Sequence, residues 1–242
     1  MSSGAATHTW QSAEQPASVQ STLGDLLRSP SDLAHRCHHD QSLRRVVITS
    51  LCVIVFGNLV FGAVLGSFRG ELGQISLSAV KLTLATMGTL VVCGPAFHAI
   101  AAAMGRPWPA RTVIALSLAA AARAALVLLA VAPLLWLAMN LGLSYHASAL
   151  MAACAYGMGG LAALGILLRG LGAGSGRLGA TLAFVAVFTA VGAQAAWSMR
   201  PYLGRPSHSH LPILRSREGS FADALWMNAH SAAGIYRDSE SM

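Results

Sequence analysis

From Thr112 to Met139 the chain is apolar almost without a break, and the one charge inside that run is Arg123. At ~1.5 Å per residue the run is long enough to cross the ~30 Å hydrocarbon core of a bilayer, with Arg123 near half depth. A cation there costs ~2.5–3.5 kcal/mol on insertion scales, so a partner is expected. Yet between Glu71 and Glu218 there is neither Asp nor Glu. Whatever satisfies Arg123 is not a carboxylate from this chain's own membrane region. That absence excludes more functions than any motif in the sequence supports.

The remaining runs resemble the first. The 242 residues are 55% hydrophobic and 10% charged, against ~25% charged in a typical soluble domain. Runs this long and apolar have no polar face to give to water, so a membrane bundle is the expected class. A pI of about 9.9 and a net charge of +7 suggest nucleic acid at first sight. The arginines, however, are spread over the segments between apolar runs, the pattern of loops facing anionic leaflets. Membrane lipid, and not nucleic acid, is the expected partner. The cysteines, at 37, 52, 93 and 154, give no disulfide framework. Three of them lie in apolar runs, where cysteine acts as a small hydrophobe.

The sequence predicts an all-α polytopic membrane bundle of five transmembrane helices, with a disordered N-terminus and an extramembrane C-terminal tail. Residues 1–20 are Ser-, Ala-, Gln- and Thr-rich and read as disordered. Residues 21–45 read as an interfacial segment broken at Pro30. The first apolar run begins near Val46, too late for a cleaved signal, so the first span is expected to act as an uncleaved insertion signal. Residues 46–199 hold the five-helix domain, with spans at Val46–Phe68, Leu77–Ala101, Thr112–Met139, His146–Leu168 and Gly179–Met199.

Within the spans a few residues stand out. Asn58 is a polar residue near the middle of the first, and Gly62-x-x-x-Gly66 permits close helix approach. Lys81 lies near the start of the second and is expected to snorkel to the interface. Gly94-Pro95 predicts a kink there. The stretch Asn140 to Tyr145 is short enough to make the third and fourth spans a tight hairpin. The fourth carries Ala149, Ala153 and Gly157 at four-residue spacing, a small-residue packing stripe. The fifth contains Gln194 and ends at Trp197, an interfacial anchor. In the tail, residues 200–242, Ser220-Phe221-Ala222-Asp223 matches a capping box. Phe221, Leu225 and Trp226 would dock a short amphipathic helix on the membrane or a partner; a half-ordered tail is the alternative.

Arg36, Arg44, Arg45, Arg106, Arg111, Arg169 and Arg177 all fall at one end of such a bundle. The positive-inside rule makes that end, and the N-terminus, cytoplasmic. The arginines of the tail, which an odd number of spans would put on the other side, argue against this.

Little chemistry is available. Proton-coupled transport needs an ionisable relay, and the spans contain no carboxylate. His98 and His146 lie at opposite ends of their helices, too far apart for one relay or one axial haem ligation. Di-metal Glu-x-x-His motifs and GxxxxGK[ST] loops are missing. Contiguous residues such as His35, Cys37, His38, His39 and Asp40 do not easily converge on one metal. The sequence therefore implies no catalytic residues, no cofactor and no enzyme. For Arg123 the candidate partners are Asn58, Gln194, carbonyls freed near Pro95 or Pro133, an anionic lipid, or an acidic group on another subunit. It is either a structural arginine or an assembly or anion site.

One resemblance is visible in Leu26-Leu27-Arg28-Ser29-Pro30, Gly62-x-x-x-Gly66-Ser67-Phe68, Ser78-Ala79-Val80-Lys81-Leu82, Cys93-Gly94-Pro95 and Leu167-Leu168-Arg169-Gly170. It extends through Gly192-Ala193-Gln194-x-x-Trp197-x-x-Arg200-Pro201-Tyr202-x-Gly204 and Arg215-x-Arg217-Glu218-Gly219-x-Phe221. The pattern resembles a group of uncharacterised bacterial five-span membrane proteins, distantly similar to the Yip-type membrane proteins of vesicle traffic. The resemblance implies a five-helix bundle in the inner membrane with a scaffolding role, and transfers no catalytic residue. The leading expectation is thus a non-catalytic membrane subunit that packs against other membrane proteins, its own copies or lipid. The alternatives are a channel or facilitator for an anionic or neutral solute with Arg123 at the constriction, and a pigment- or haem-associated subunit.

Overall fold

The computed structural model describes residues 19–28, 31–33, 37, 43–105, 108–170, 176–199, 202 and 226. A short helix α1 (Val19–Arg28) precedes five long ones: α2 (Leu43–Gly66), α3 (Leu72–Ala103), α4 (Ala110–Asn140), α5 (Tyr145–Gly170) and α6 (Arg177–Ser198). All five are long and apolar enough to cross a membrane. Helices are the form such segments must take, because inside a bilayer each backbone N–H and C=O has to be satisfied within its own segment. The chain is built as a multi-pass membrane protein.

The turns follow from local chemistry. After a 3₁₀ turn at Ser67–Arg69, Gly70 adopts φ 73° and its N–H closes on the Ser67 carbonyl. At the end of α4, Gly142 has φ 93°. Its N–H donates to the Met139 carbonyl, and the Leu143 N–H donates to that of Ala138, both over 3.1 Å. This is the glycine-terminated helix end known as the Schellman motif. Ser144 then caps α5, accepting from the Ala147 N–H at 3.3 Å. The α4–α5 hairpin is as tight as the sequence implies.

Helix α4 lies between α2 and α5, while α3 packs on α2 and carries α6 on its other side. α6 touches α5 only lightly. Glycine permits the closest crossings. A Cβ on Gly57 would stand 2.8 Å from the Ala125 carbonyl oxygen of α4, and one on Gly62 the same distance from the Ala79 Cα of α3. One on Gly66 would meet the Ile75 Cα at 2.7 Å, and one on Gly159 the Ala124 carbonyl oxygen at 3.2 Å. One apolar cluster at the N-terminal end gathers Leu26, Leu33, Cys37, Ile54 and Phe97; the other gathers Phe61, Leu65, Leu128 and Leu135. Helix α1 rests on α2 and α4. Residues 21–45 therefore insert Leu26, Leu33 and Cys37 into the bundle end, in addition to leading the chain into the membrane.

Two expectations change. α3 begins at Leu72, five residues before the predicted Leu77, so Lys81 lies about 13 Å inside the helix at ~1.5 Å per residue. It is only 4% exposed, packed within the bundle. Pro95, where the sequence predicts a kink, lies inside this helix. On α5 the face turned to the bundle is Ser148, Ala152, Ala155 and Gly159. Ala149 and Ala153 are half-buried, and Gly157 is exposed, with nothing within 4 Å of the point where a Cβ would stand. A helix apolar all round offers its sequence no means of marking the packed face.

Candidate functional site

Three sets of polar groups in and beside the bundle stand out. In the first, Asn58 of α2 is buried; its Nδ2 donates to the Ile54 carbonyl at 2.7 Å, and its Oδ1 accepts from the Thr86 hydroxyl of α3 at 3.0 Å. The Leu82 carbonyl lies 3.1 Å from the same hydroxyl, so the one Thr86 proton is shared between the two acceptors. Asn58 thereby ties α2 to α3 and has its hydrogen bonds in hand without Arg123.

The second set lies at the start of α3. The Tyr202 carbonyl, just beyond α6, accepts from Gln74 Nε2 at 2.9 Å and from Ser78 Oγ at 2.7 Å. Gln74 Nε2 also reaches Ser78 Oγ at 3.0 Å. Both side chains are fully buried, and the Tyr202 ring packs with the second apolar cluster. Burial raises the Tyr202 phenol above its ordinary range. Sequence reading missed this latch, because Gln74 falls before the predicted span and Tyr202 after the last one.

The third set is Arg123 and Arg169. Arg123 lies on α4 with its Nη1 buried and without a hydrogen-bond partner. Arg169, near the end of α5, lies within electrostatic range of it. Gln194 does not meet it. That side chain is exposed on the outer face of α6, beside Ala190, Val191, Ala195 and Ser198. The closeness of Gly192 to Thr89 of α3 shows why α6 lies across α3 and away from α4. The three residues singled out in the spans, Arg123, Gln194 and Asn58, thus occupy separate environments.

Elsewhere, an open groove of about 710 Å³ between α2 and α3 is lined by Phe56, Leu59, Val60, Ala63, Ile75 and Ala79 among others. Its apolar lining suits an acyl chain and not a polar substrate. Phe97 joins α3 to α6 through Phe184 at 4.7 Å and Phe188 at 6.3 Å between ring centres. Cys37 and Cys93 are buried, Cys52 and Cys154 exposed, and all are free thiols. Burial pushes the Cys37 thiol up to about 11. Among the described residues, no group of three or more His, Cys, Asp or Glu is placed to hold a metal ion. His35, His38, His39 and Asp40 lie outside the described residues, as do Phe221 and Leu225 of the tail; Trp226 is described and is exposed.

Comparison with protein-family models, with curated proteins and with solved structures finds no match to this chain.

Proposed function

We propose that this protein is a non-catalytic subunit or scaffold of a bacterial inner membrane, with a cytoplasmic N-terminus, that packs against another membrane protein or a second copy of itself. The observation that carries this reading is the outer face of α5. Only 17% of its most apolar window is buried within the chain, the same as for α6, against 61% for α4. Gly157 and Gly160 on that face are exposed and have nothing within 4 Å of a Cβ. Small residues at the lipid-facing surface permit a second helix to approach closely. The likeness to five-span proteins of the Yip type points the same way.

The test uses Cys154, which is exposed on α5. Photocrosslinking in native membranes after Cys154→p-benzoylphenylalanine, a group that reacts in lipid where a thiol does not, should join position 154 to a discrete partner or to a second copy, and Gly157→Leu should abolish the product. A chain that stays monomeric and uncrosslinked in its own membrane contradicts the proposal. A second reading, a facilitator for an anion, is favoured by the unpartnered Nη1 of Arg123. It would show as anion flux in proteoliposomes that Arg123→Gln alters while the protein stays inserted.

A further inference from the structure

Arg123 and Arg169 sit on antiparallel neighbours, and in every helix the side chain leans toward its own N-terminus. The N-terminal end of α4 lies beside the C-terminal end of α5: Gly170 packs directly on Leu116, while farther along Gly159 faces Ala124. Arg123 therefore leans down α4 toward the level of Leu116, and Arg169 leans up α5 toward the level of Gly159. They lean toward each other. Arg169 Nη1 lies back over Gly165, 3.8 Å from where a Cβ there would stand, so a side chain larger than alanine at 165 would crowd it. Among the described residues no carboxylate hydrogen-bonds the buried Arg123 Nη1, and neither α4 nor α5 carries one.

Two converging guanidiniums, one partly buried and one exposed, make a fork for an oxyanion; arginine recognises phosphate bidentately, whereas an isolated buried cation only costs energy. Depth selects the source. α5 has 26 residues, about 39 Å at ~1.5 Å per residue, against a hydrocarbon core of ~30 Å. If the overhang is shared between its ends, Gly165 lies roughly 3 Å beneath the hydrocarbon boundary. That is within reach of a phosphodiester in the headgroup layer. Arg169, being exposed, gives access from the lipid side.

We infer that Arg123 and Arg169, with Gly165 clearing the space between them, form a clamp for the phosphate of a membrane phospholipid in the leaflet at the C-terminal end of α5. The clamp is independent of whether the outer face of α5 meets a partner. It relieves the buried arginine with an anion from the bilayer where α4 and α5 supply none.

The test is native mass spectrometry of the full-length protein, delipidated and then titrated in detergent with phosphatidylglycerol, with diacylglycerol, or with inorganic phosphate. The parent should retain one phosphatidylglycerol and no diacylglycerol, which lacks the phosphate. Arg169→Gln should weaken retention at least tenfold, and Arg44→Gln, an exposed arginine at the same bundle end, should not. Arg169 is exposed, so its replacement leaves the fold intact where Arg123→Gln risks misfolding. Gly165→Leu, which fills the space beside Arg169, should weaken retention as well. Equal retention in the parent and Arg169→Gln, or diacylglycerol bound as well as phosphatidylglycerol, overturns the clamp. Millimolar inorganic phosphate that displaces the lipid shows the oxyanion chemistry to be right. Phosphate that binds where phosphatidylglycerol does not overturns the lipid assignment.

Discussion

Thr86 on α3 donates its hydroxyl to Oδ1 of Asn58 on α2 across 3.0 Å, inside the part of the bundle that water does not reach. Interhelical hydrogen bonds of this kind contribute about 0.6–2 kcal/mol in membrane proteins. Thr86→Val keeps the shape and removes the donor. It should lower stability by about 1 kcal/mol, measured by equilibrium unfolding in detergent or bicelles, with secondary structure unchanged.

Close approach at Gly62 should matter more than the bond. A Cβ there would meet the Ala79 Cα and the Ser78 carbonyl oxygen at 2.8 Å, both backbone atoms that cannot swing away. Gly62→Ala should cost about 1–3 kcal/mol by overpacking. Gly88→Ala, where nothing lies within 4 Å, should be neutral or stabilise by up to about 1 kcal/mol through helix propensity. Thermal unfolding of the two variants side by side reads the difference.

The Tyr202 carbonyl is held by Gln74 and Ser78 at 2.9 and 2.7 Å. Ser78→Ala combined with Gln74→Leu should release the chain beyond α6. Limited proteolysis of the double variant should cut after residue 199 at least several-fold faster than in the parent, while the spans remain protected. Equal cutting rates would show that the latch does not hold the segment.

Cys37 ties stability to alkaline pH. Its thiol ionises near 9.0 when free and at about 11 when buried. Below pH 9 both states hold the proton and the contribution is intact. Between 9 and 11 the unfolded chain gives up the proton first, so the folded state loses ground as pH rises. The raised phenol of Tyr202 acts in the same direction. Cys37→Ala should therefore flatten the fall in stability across pH 9–11, as read by unfolding midpoints at fixed detergent.

The sequence carries the spans well because hydropathy measures the property a bilayer selects; predicted and observed helices differ by only a few residues at most ends. α3 is the exception, and its cause is local. Gly73, Gln74 and Ser76 dilute the apolar signal, yet the Gln74 amide N–H and the Ser78 hydroxyl donate to a carbonyl from beyond α6, which no local pattern announces. Lys81 is misplaced for the same reason. Which face of a helix turns inward is the other thing the sequence conceals. Gln194 has about the depth of Arg123 along the bundle but points outward, and Gly157 belongs to a stripe that faces away from α4. Where every face is apolar, neighbours decide the rotation. The Arg123–Arg169 relation was hidden similarly, although two arginines on successive antiparallel spans, with a glycine one turn before the second, are a signal that can be read once the hairpin is recognised.

Site-directed labelling of position 123 in intact membranes bears most directly on the central claim, an arginine held inside a five-pass bundle without a counter-charge from the spans around it. With Cys37, Cys52, Cys93 and Cys154 replaced by Ala, Leu141→Cys in the exposed α4–α5 turn should react with a membrane-impermeant maleimide. Arg123→Cys should stay unlabelled until the bilayer is dissolved and the protein unfolded. Labelling of Arg123→Cys at the same rate as Leu141→Cys would put that residue in water and contradict the account.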